Sequence, residues 1–161
     1  MKTLATGLLA VMPLAASAAP CESLRPAIDT LLFDYSSKNL DAVISRIDRN
    51  EIMVLGSDLS EIARTPAEVE FMLRADFALW GASRFGSPQF MDCRVEPLLA
   101  SAAFDVPFTM QRNDGSTMDV TVRFLTVWTR EAKGPWRLSQ SMNSTPTVGA
   151  SATDLLKAMK P

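Results

Sequence analysis

One stretch of the sequence decides the fold: Val122-Arg123-Phe124-Leu125-Thr126-Val127-Trp128-Thr129-Arg130. The alternation begins just before it, and one side of the segment carries Met118, Val120, Val122, Phe124, Thr126 and Trp128. A period of two is typical of a strand with one buried face, because successive side chains of a strand point to opposite faces. The stretch therefore predicts a long strand whose inner face is lined by aromatic and aliphatic residues.

The neighbouring segments predict that this strand belongs to an antiparallel meander. Residues 104–111 alternate in the same way, and Asn113-Asp114-Gly115-Ser116 between the two segments is a strong hairpin signal. A second turn at 131–135 follows the long strand. The other segments with strand character are 52–55, 88–100 (broken by Pro97) and 136–143.

Helical patterns come before the strands. Residues 23–37 place apolar side chains at helical spacing, and 42–47 can add one or two turns. Thr65-Pro66-Ala67-Glu68 has the form of a capping box, and the helix that it opens is expected to run to about Trp80, where Gly81 ends it. A short helix is also predicted over 151–159. Helices followed by a long meander indicate an α+β fold.

The first residues have the features of a secretory signal peptide. Lys2 supplies a positive charge, residues 4–14 are apolar, and Ala16-Ser17-Ala18 suits cleavage before Ala19. A membrane anchor is the rival interpretation, but the apolar part is shorter than the roughly 20 residues that span a bilayer. Pro20 makes a lipid-modified Cys21 the weaker alternative. We expect residues 1–18 to be removed, residues 19–161 to form one domain, and the protein to be periplasmic or secreted and not membrane-bound.

The two cysteines, Cys21 and Cys93, are expected to form a disulfide. An exported protein meets an oxidising compartment, where a pair of cysteines commonly bonds. The bridge would close a loop of about 73 residues and contribute about 4 kcal/mol in the chain-entropy treatment. A reactive thiol is the alternative, but neither cysteine lies in a C-x-x-C pair and the chain has no histidine to activate one.

Composition excludes several classes of function. The chain has 161 residues, no histidine, and a net charge of −2 from 16 basic and 18 acidic residues. Without histidine there can be no histidine-based catalytic dyad or triad and no histidine-ligated metal. Without clustered basic residues, nucleic-acid binding is not expected. No phosphate-binding or dinucleotide motif is present, so we predict no cofactor and no metal site.

Three segments resemble the NTF2-like superfamily and, more narrowly, its SnoaL-like branch. The first is the end of the first helix with the residues after it, 37–43, and the second runs from Met53 through Glu61 to the capping box. The third is the most specific and joins residues 122–130 to Gly134-Pro135-Trp136-Arg137-Leu138. The family usually ends this region with a histidine-containing pattern, and here Met142 stands in its place. The resemblance covers most of residues 22–147.

The resemblance implies an NTF2-like cone, in which N-terminal helices pack into a curved antiparallel sheet and leave an apolar cavity at the open end. Such folds include isomerases, hydrolases, cyclases and plain binding or dimerising modules, so the fold alone does not choose a function. Three hypotheses follow. The leading one is an exported protein that binds a small apolar ligand without turnover. The others are a SnoaL-like enzyme and a homodimerisation module that pairs through its sheet.

Candidate catalytic groups are Tyr35, Asp58 and Asp76, because a chain without histidine needs carboxylates or tyrosine for acid–base work. Glu61 shares the loop of Asp58. Tyr35 also suits the edge of the core, and Asp58 also suits an ordinary loop charge. The expected ligand-binding set is Tyr35, Asp76, Trp80, Arg123, Phe124 and Trp128.

Asp76 shares a predicted helix face with apolar residues, where a carboxylate needs a partner or a cavity. Arg123 is the natural partner, since it interrupts an apolar strand. The alternative places Arg123 on the outer face of the sheet with Thr121 and Thr129.

Overall fold

The computed structural model describes residues 21–146. The predicted signal peptide over 1–18 and the predicted helix over 151–159 lie outside the described residues. Within them, no helix is both long enough and apolar enough to cross a membrane.

Three helices lie where the sequence predicted them. They are α1 (Cys21–Ser36), α2 (Leu40–Ser45) and α3 (Pro66–Leu79). The capping box at the start of α3 is confirmed, because the Thr65 hydroxyl accepts the Glu68 amide at 3.2 Å. The Glu68 carboxylate reaches back to the Arg64 amide at 2.6 Å, one residue before the cap. The bond from Glu68 to Thr65 satisfies one of the first amides of the helix, which an uncapped helix would leave without a partner.

Seven strands form one sheet in the order β2-β1-β7-β6-β5-β3, and β4 pairs with β5 beside β3. Their bounds are β1 Met53–Leu55, β2 Ile62–Ala63, β3 Trp80–Phe85, β4 Gln89–Val95, β5 Leu99–Arg112, β6 Thr117–Thr129 and β7 Arg137–Ser144. The predicted α+β cone is confirmed. The sheet is antiparallel, as expected, except that β1 pairs with β7 in parallel.

Strand β3 was not predicted from the sequence, which indicated no strand between residue 55 and residue 88. The Trp80 amide still bonds to Asp76 O as the end of α3, but the Trp80 backbone is already extended. The pairing of β3 with β5 shifts register between Trp80 and Ser83, as at a β-bulge. This irregularity hides the alternating pattern in the sequence.

The β5–β6 hairpin follows the prediction. Gly115 has φ +85°, a backbone conformation that a side chain disfavours, and its amide bonds to Arg112 O at 2.9 Å. Thirteen residue pairs then run in register from Gln111 opposite Thr117 to Leu99 opposite Thr129. The hairpin forms the centre of the sheet.

The core lies between the inner face of the sheet and the helices. Its largest fully buried side chains are Trp128, Phe104, Leu24, Ile28, Ile47 and Val106. Burial alternates along β5 and β6 as the period of two predicted.

The disulfide between Cys21 and Cys93 is confirmed, and its two Cα atoms lie 5.6 Å apart. It ties the first residue of α1 to β4, near the edge of the sheet.

Candidate functional site

The site is centred on Tyr35 and Asp76, which come from different helices. The Tyr35 hydroxyl donates to Asp76 Oδ2 at 3.0 Å. Both side chains are partly buried on the inner side of the fold. The sequence predicted each residue as a candidate but did not predict that the two would be bonded to each other.

A cluster of phenyl rings surrounds Tyr35. Its ring lies 5.2 Å from that of Phe77, 5.5 Å from Phe85 and 6.4 Å from Phe108, measured between centroids. Phe85 stacks on Phe108 at 4.4 Å and also faces Phe124. These contacts, edge-on or offset, are the favoured geometries for aromatic pairs. The Tyr35 ring is thus surrounded by apolar rings.

The apolar surroundings change how both groups titrate. Burial raises the pKa of the Tyr35 hydroxyl, and the adjacent Asp76 charge raises that pKa further. Burial also raises the pKa of Asp76, with a smaller contribution from the charge of Glu61, and this outweighs the opposing effect of the Tyr35 hydrogen bond. Both shifts reflect the cost of placing a charge in a poorly solvated place.

Trp80 and Ser83 add two polar groups to this side of the fold. Trp80 Nε1 and Ser83 Oγ are buried and make no well-formed hydrogen bond. The Trp80 indole nevertheless lies near enough to the Tyr35 oxygen to oppose the rise in the pKa of that hydroxyl. The indole N–H, the hydroxyl and the Asp76 carboxylate therefore follow one another across the site.

Lys38 links α1 to the end of α3. Its ammonium group donates to Phe77 O at 2.8 Å and to Trp80 O, both at the end of α3. A positive charge at this end complements the partial negative charge of the helix carbonyls. Because Lys38 follows α1 directly, this contact positions Asp76 opposite Tyr35. Nothing in the sequence pattern indicated this role.

The β1–β2 loop carries Glu61 close to the site. Glu61 Oε2 accepts the Asp58 amide at 3.1 Å, and the Glu61 amide bonds back to Asp58 O at 3.1 Å. A side chain at Gly56 would collide with Glu61, so glycine at that position permits the arrangement. The loop is thereby closed on itself with Glu61 half-buried.

Asp58 itself lies apart from the Tyr35–Asp76 pair. It is exposed, and its carboxylate accepts the amide and hydroxyl of Ser60 at 2.9 and 2.8 Å. These bonds hold the pKa of Asp58 below its ordinary value. The geometry is that of a loop carboxylate that stabilises its own turn.

Of the two positions that the sequence left open for Arg123, the pairing with Asp76 is wrong. Arg123 lies on the outer face of the sheet, where Nε and Nη2 donate to the two carboxylate oxygens of Asp105 at 2.8 and 2.9 Å. Asp105 and Arg123 are opposite each other on β5 and β6, so their side chains share a face. Arg123 is therefore not part of the inner site, and the outer-face alternative is confirmed.

The remaining predicted ligand-binding residues differ in position. Phe124 faces inward, stacked on Phe104 at 5.4 Å, and Trp80 lies at the site. Trp128 is 1% exposed, and its Nε1 donates to the Thr126 hydroxyl at 2.9 Å. Trp128 is therefore a core residue with its polar atom already satisfied. Across residues 21–146, no three carboxylates and cysteines come together in a way that could hold a metal ion.

Sequence reasoning missed Ser83, Phe85 and Lys38. Ser83 and Phe85 belong to the unpredicted strand β3, and an alternation of Ser83, Phe85 against Arg84 was the available signal. It is too short to be distinguished from a loop without knowledge of its partner strand.

Several solved structures have a similar architecture, whereas searches by sequence found no match. No family model and no curated protein matches the chain. Among solved structures, an NTF2-like superfamily protein from Salmonella enterica serovar Typhimurium is 18% identical with a TM-score of 0.67, covering 81% of this chain and 94% of that one. A ketosteroid isomerase-like protein from Erwinia carotovora atroseptica is 14% identical with a TM-score of 0.66, covering 78% and 95%.

A putative scytalone dehydratase from Novosphingobium aromaticivorans has a TM-score of 0.68 at 8% identity, covering 79% of this chain and 84% of that one. At these identities the similarity concerns the fold. The chain has the NTF2-like fold, which includes proteins described as isomerase-like and dehydratase-like.

Proposed function

We propose that this chain is an exported, SnoaL-like binding protein that holds a small, largely apolar ligand beside Tyr35 and Asp76. The observation that carries the proposal is the hydrogen bond between these side chains within a cluster of phenyl rings. Ligand sites are typically apolar surfaces with a few convergent polar groups. Here the rings supply apolar contact, and the half-buried carboxyl supplies one oriented polar contact.

Mass spectrometry of the purified native protein tests this proposal by identifying what it retains. We expect a reproducible apolar compound that Asp76→Asn or Tyr35→Phe retains at least about ten-fold less, since a hydrogen bond to a charged group contributes roughly a factor of ten or more. The matched control is Asp105→Asn, which removes a carboxylate from the outer face. An empty native protein, or equal loss in the control, would contradict the proposal.

Acid–base catalysis is the second candidate, and the raised pKa of Asp76 favours it. Burial raises the pKa of this carboxyl from that of an ordinary aspartate toward neutral pH. A pKa shifted in this direction suits a group that exchanges protons with a bound molecule. The retained compound can be incubated with the protein in deuterated water. Incorporation of deuterium by the native protein and not by Asp76→Asn would establish turnover, whereas binding without incorporation would leave the binding function.

Tyr35 offers an independent check of the geometry because it is the only tyrosine of the chain. Alkaline spectrophotometric titration therefore reports on this hydroxyl alone. We expect a pKa above 10.0 in the native protein. Asp76→Asn should lower that pKa without returning it fully to 10.0, because burial is the larger cause.

Export is proposed from the N-terminal sequence. We expect mature protein recovered from the periplasm or medium to begin at Ala19. N-terminal sequencing tests this expectation, and an intact Met1 on exported material would contradict it.

A homodimer through the sheet is proposed on the pattern of the outer face. The register places one apolar row across five strands, where Leu55 pairs with both Ile62 and Met142, and Leu125 with both Met142 and Ala103. Ile62, Leu125 and Met142 are 40 to 50% exposed. A contiguous exposed apolar surface of this kind is typical of an interface.

Sedimentation of the native protein and of Leu125→Glu tests the dimer. We expect the native protein to sediment as a dimer and Leu125→Glu as a monomer, because the new charge would be buried. Thr121→Glu is the control, since Thr121 lies on the same strand and face outside the row. A monomeric native protein at micromolar concentration would remove the dimer from the proposal.

A further inference from the structure

A concave region lies at the far end of the sheet from Tyr35 and Asp76. It is an open depression of about 590 Å³ between the loop after α2 and the β6–β7 turn. Its lining includes Arg49, Arg130 and Arg137. Trp80 pairs with Arg112 at one end of the β5–β6 hairpin, whereas Thr129 of the depression is at the other, roughly 40 Å away along the strands.

Two of the three arginines are held in place by the fold. Arg130 Nε donates to Pro97 O at 2.8 Å, and its guanidinium stacks 4.2 Å from the ring centre of Trp136. Arg137 donates through Nη1 to Ser45 O. Each contact uses one N–H and leaves further N–H groups free, because a guanidinium carries five. Much of the entropy lost on binding is therefore already lost in the folded protein.

These guanidinium groups form no direct ion pair with the described residues. Among residues 21–146, no carboxylate lies within 4.0 Å of Arg49, Arg130 or Arg137. The depression also contains Asp48 and Glu131. Asp48 is occupied, because it accepts the Thr129 hydroxyl at 2.6 Å and the amides of Asn50 and Glu51 at 2.9 and 3.3 Å. The charge of Arg137 also acts on Asp48 and helps to lower the pKa of that carboxyl. Three cations thus face two anions, and Asp48 both stabilises the loop and offsets part of the charge of Arg137.

We propose that this depression binds a small oxyanion with two or more negative charges, a phosphate or a carboxylate. The planar guanidinium group presents its N–H donors in a fork that matches two oxygens of either anion and binds them through paired N–H bonds. Arg130 and Arg137 would bind the anion directly, and Arg49 at the exposed rim would add charge. Glu131 would weaken binding by repulsion. The site shares no residue with the Tyr35–Asp76 site and does not depend on the function proposed there.

Calorimetric titration with pyrophosphate and with citrate, at matched ionic strength, tests the proposal and distinguishes the two anion chemistries. We expect saturable binding of at least one of them, weakened about ten-fold or more by Arg130→Gln and by Arg137→Gln. Arg84→Gln is the matched control, because Arg84 is exposed on β3, away from the depression. Binding should not change in this variant.

Two further variants protect the test against loss of folding. Arg49→Gln changes an exposed side chain and should weaken binding several-fold, while Glu131→Gln should strengthen it by removing a like charge. A gain of affinity cannot come from unfolding. The proposal is overturned if neither anion saturates the protein at about 10 mM, ten times a dissociation constant of about 1 mM, or if Arg84→Gln weakens binding equally.

Discussion

Asp76 and Asp105 lie on opposite sides of the same sheet, and their surroundings differ. Asp76 faces the phenyl cluster, is held by one neutral hydroxyl, and has its pKa raised by burial. Asp105 lies on the outer face, and the bidentate hydrogen bond from Arg123 lowers its pKa. The outer carboxylate is fully compensated by its partner. The inner one is compensated only in part, which leaves it able to interact with a bound molecule.

The comparison shows that the identity of a charged residue does not determine its role. Asp76 interrupts an apolar helix face, whereas Asp105 takes an outer position in the alternation of β5. The pairing of β5 with β6 brings Arg123 into contact with Asp105. The contact between α1 and α3 brings Tyr35 within hydrogen-bond distance of Asp76.

The largest expected difference between the two faces is in packing. Phe104→Ala removes a side chain that is 2% exposed on the inner face of β5, and we expect it to lower the free energy of unfolding by about 3–5 kcal/mol. Leu99→Ala is the control on the same strand, 51% exposed on the outer face, with an expected effect within about 0.5 kcal/mol. Urea denaturation measures both. Similar losses would mean that the two faces are not distinct.

Next in size is the contact that positions the inner site. Lys38→Met removes the ammonium group that binds Phe77 O and Trp80 O, and we expect a loss of about 1–3 kcal/mol. The pKa of the Tyr35 hydroxyl should change as well, because its distance from Asp76 depends on this contact. Lys133→Met, in the exposed β6–β7 turn, should change neither quantity. If the two variants behave alike, Lys38 has no positioning role.

A smaller expected effect is on the pH dependence of stability, which should differ in sign between the two carboxyl groups. The pKa of Asp76 is raised in the folded state, so its stabilising contribution is present below the unfolded value of 3.8 and is lost as pH rises through the folded value. Asp76→Asn should therefore stabilise the protein at pH 7, by a fraction of 1 kcal/mol because solvent partly screens the group. The gain should disappear near pH 3, about one unit below the ordinary pKa.

Asp105→Asn should behave in the opposite way. The pKa of Asp105 is lowered in the folded state, so its contribution is present above 3.8 and is lost as pH falls through the folded value. This variant should be destabilised at pH 7 and indistinguishable from the native protein in acid. Denaturation curves at both pH values test the pair, and the same sign for both variants would contradict the comparison.

The smallest expected effect is at the outer ion pair. Arg123→Gln should change the unfolding midpoint little at physiological salt, because exposed ion pairs contribute little to stability. The variant should still raise the pKa of Asp105 toward 3.8, which carboxyl NMR measures directly. A strong loss of stability would show that the outer face is more than a solvated surface.

Much of the fold was predictable from local patterns. The period of two along β5 and β6, the Asn113–Ser116 turn and the capping box each describe a structure that forms from neighbouring residues. The family resemblance added the cone. Strand β3 and the parallel pairing of β1 with β7 were not predictable, because both depend on partner strands far along the chain.

The sequence predicted most residues of the candidate site but not which of them contact each other. Tyr35, Asp76, Trp80 and Phe124 were expected at a cavity wall and lie on the inner side of the fold. Arg123 was misplaced because a strand with apolar residues on both faces does not reveal which face a charge occupies. Trp128 was a cavity candidate, but Thr126 and the core enclose it.

By itself, the sequence determined the three helices, the long β5–β6 hairpin and the inner, apolar side of its strands, since these follow from the spacing of side chains along a short piece of backbone. The tertiary structure alone decided which charged groups meet. Tyr35 and Asp76 are 41 positions apart in the chain and Asp105 and Arg123 are 18 apart, so only the packing of complete elements could bring each pair together.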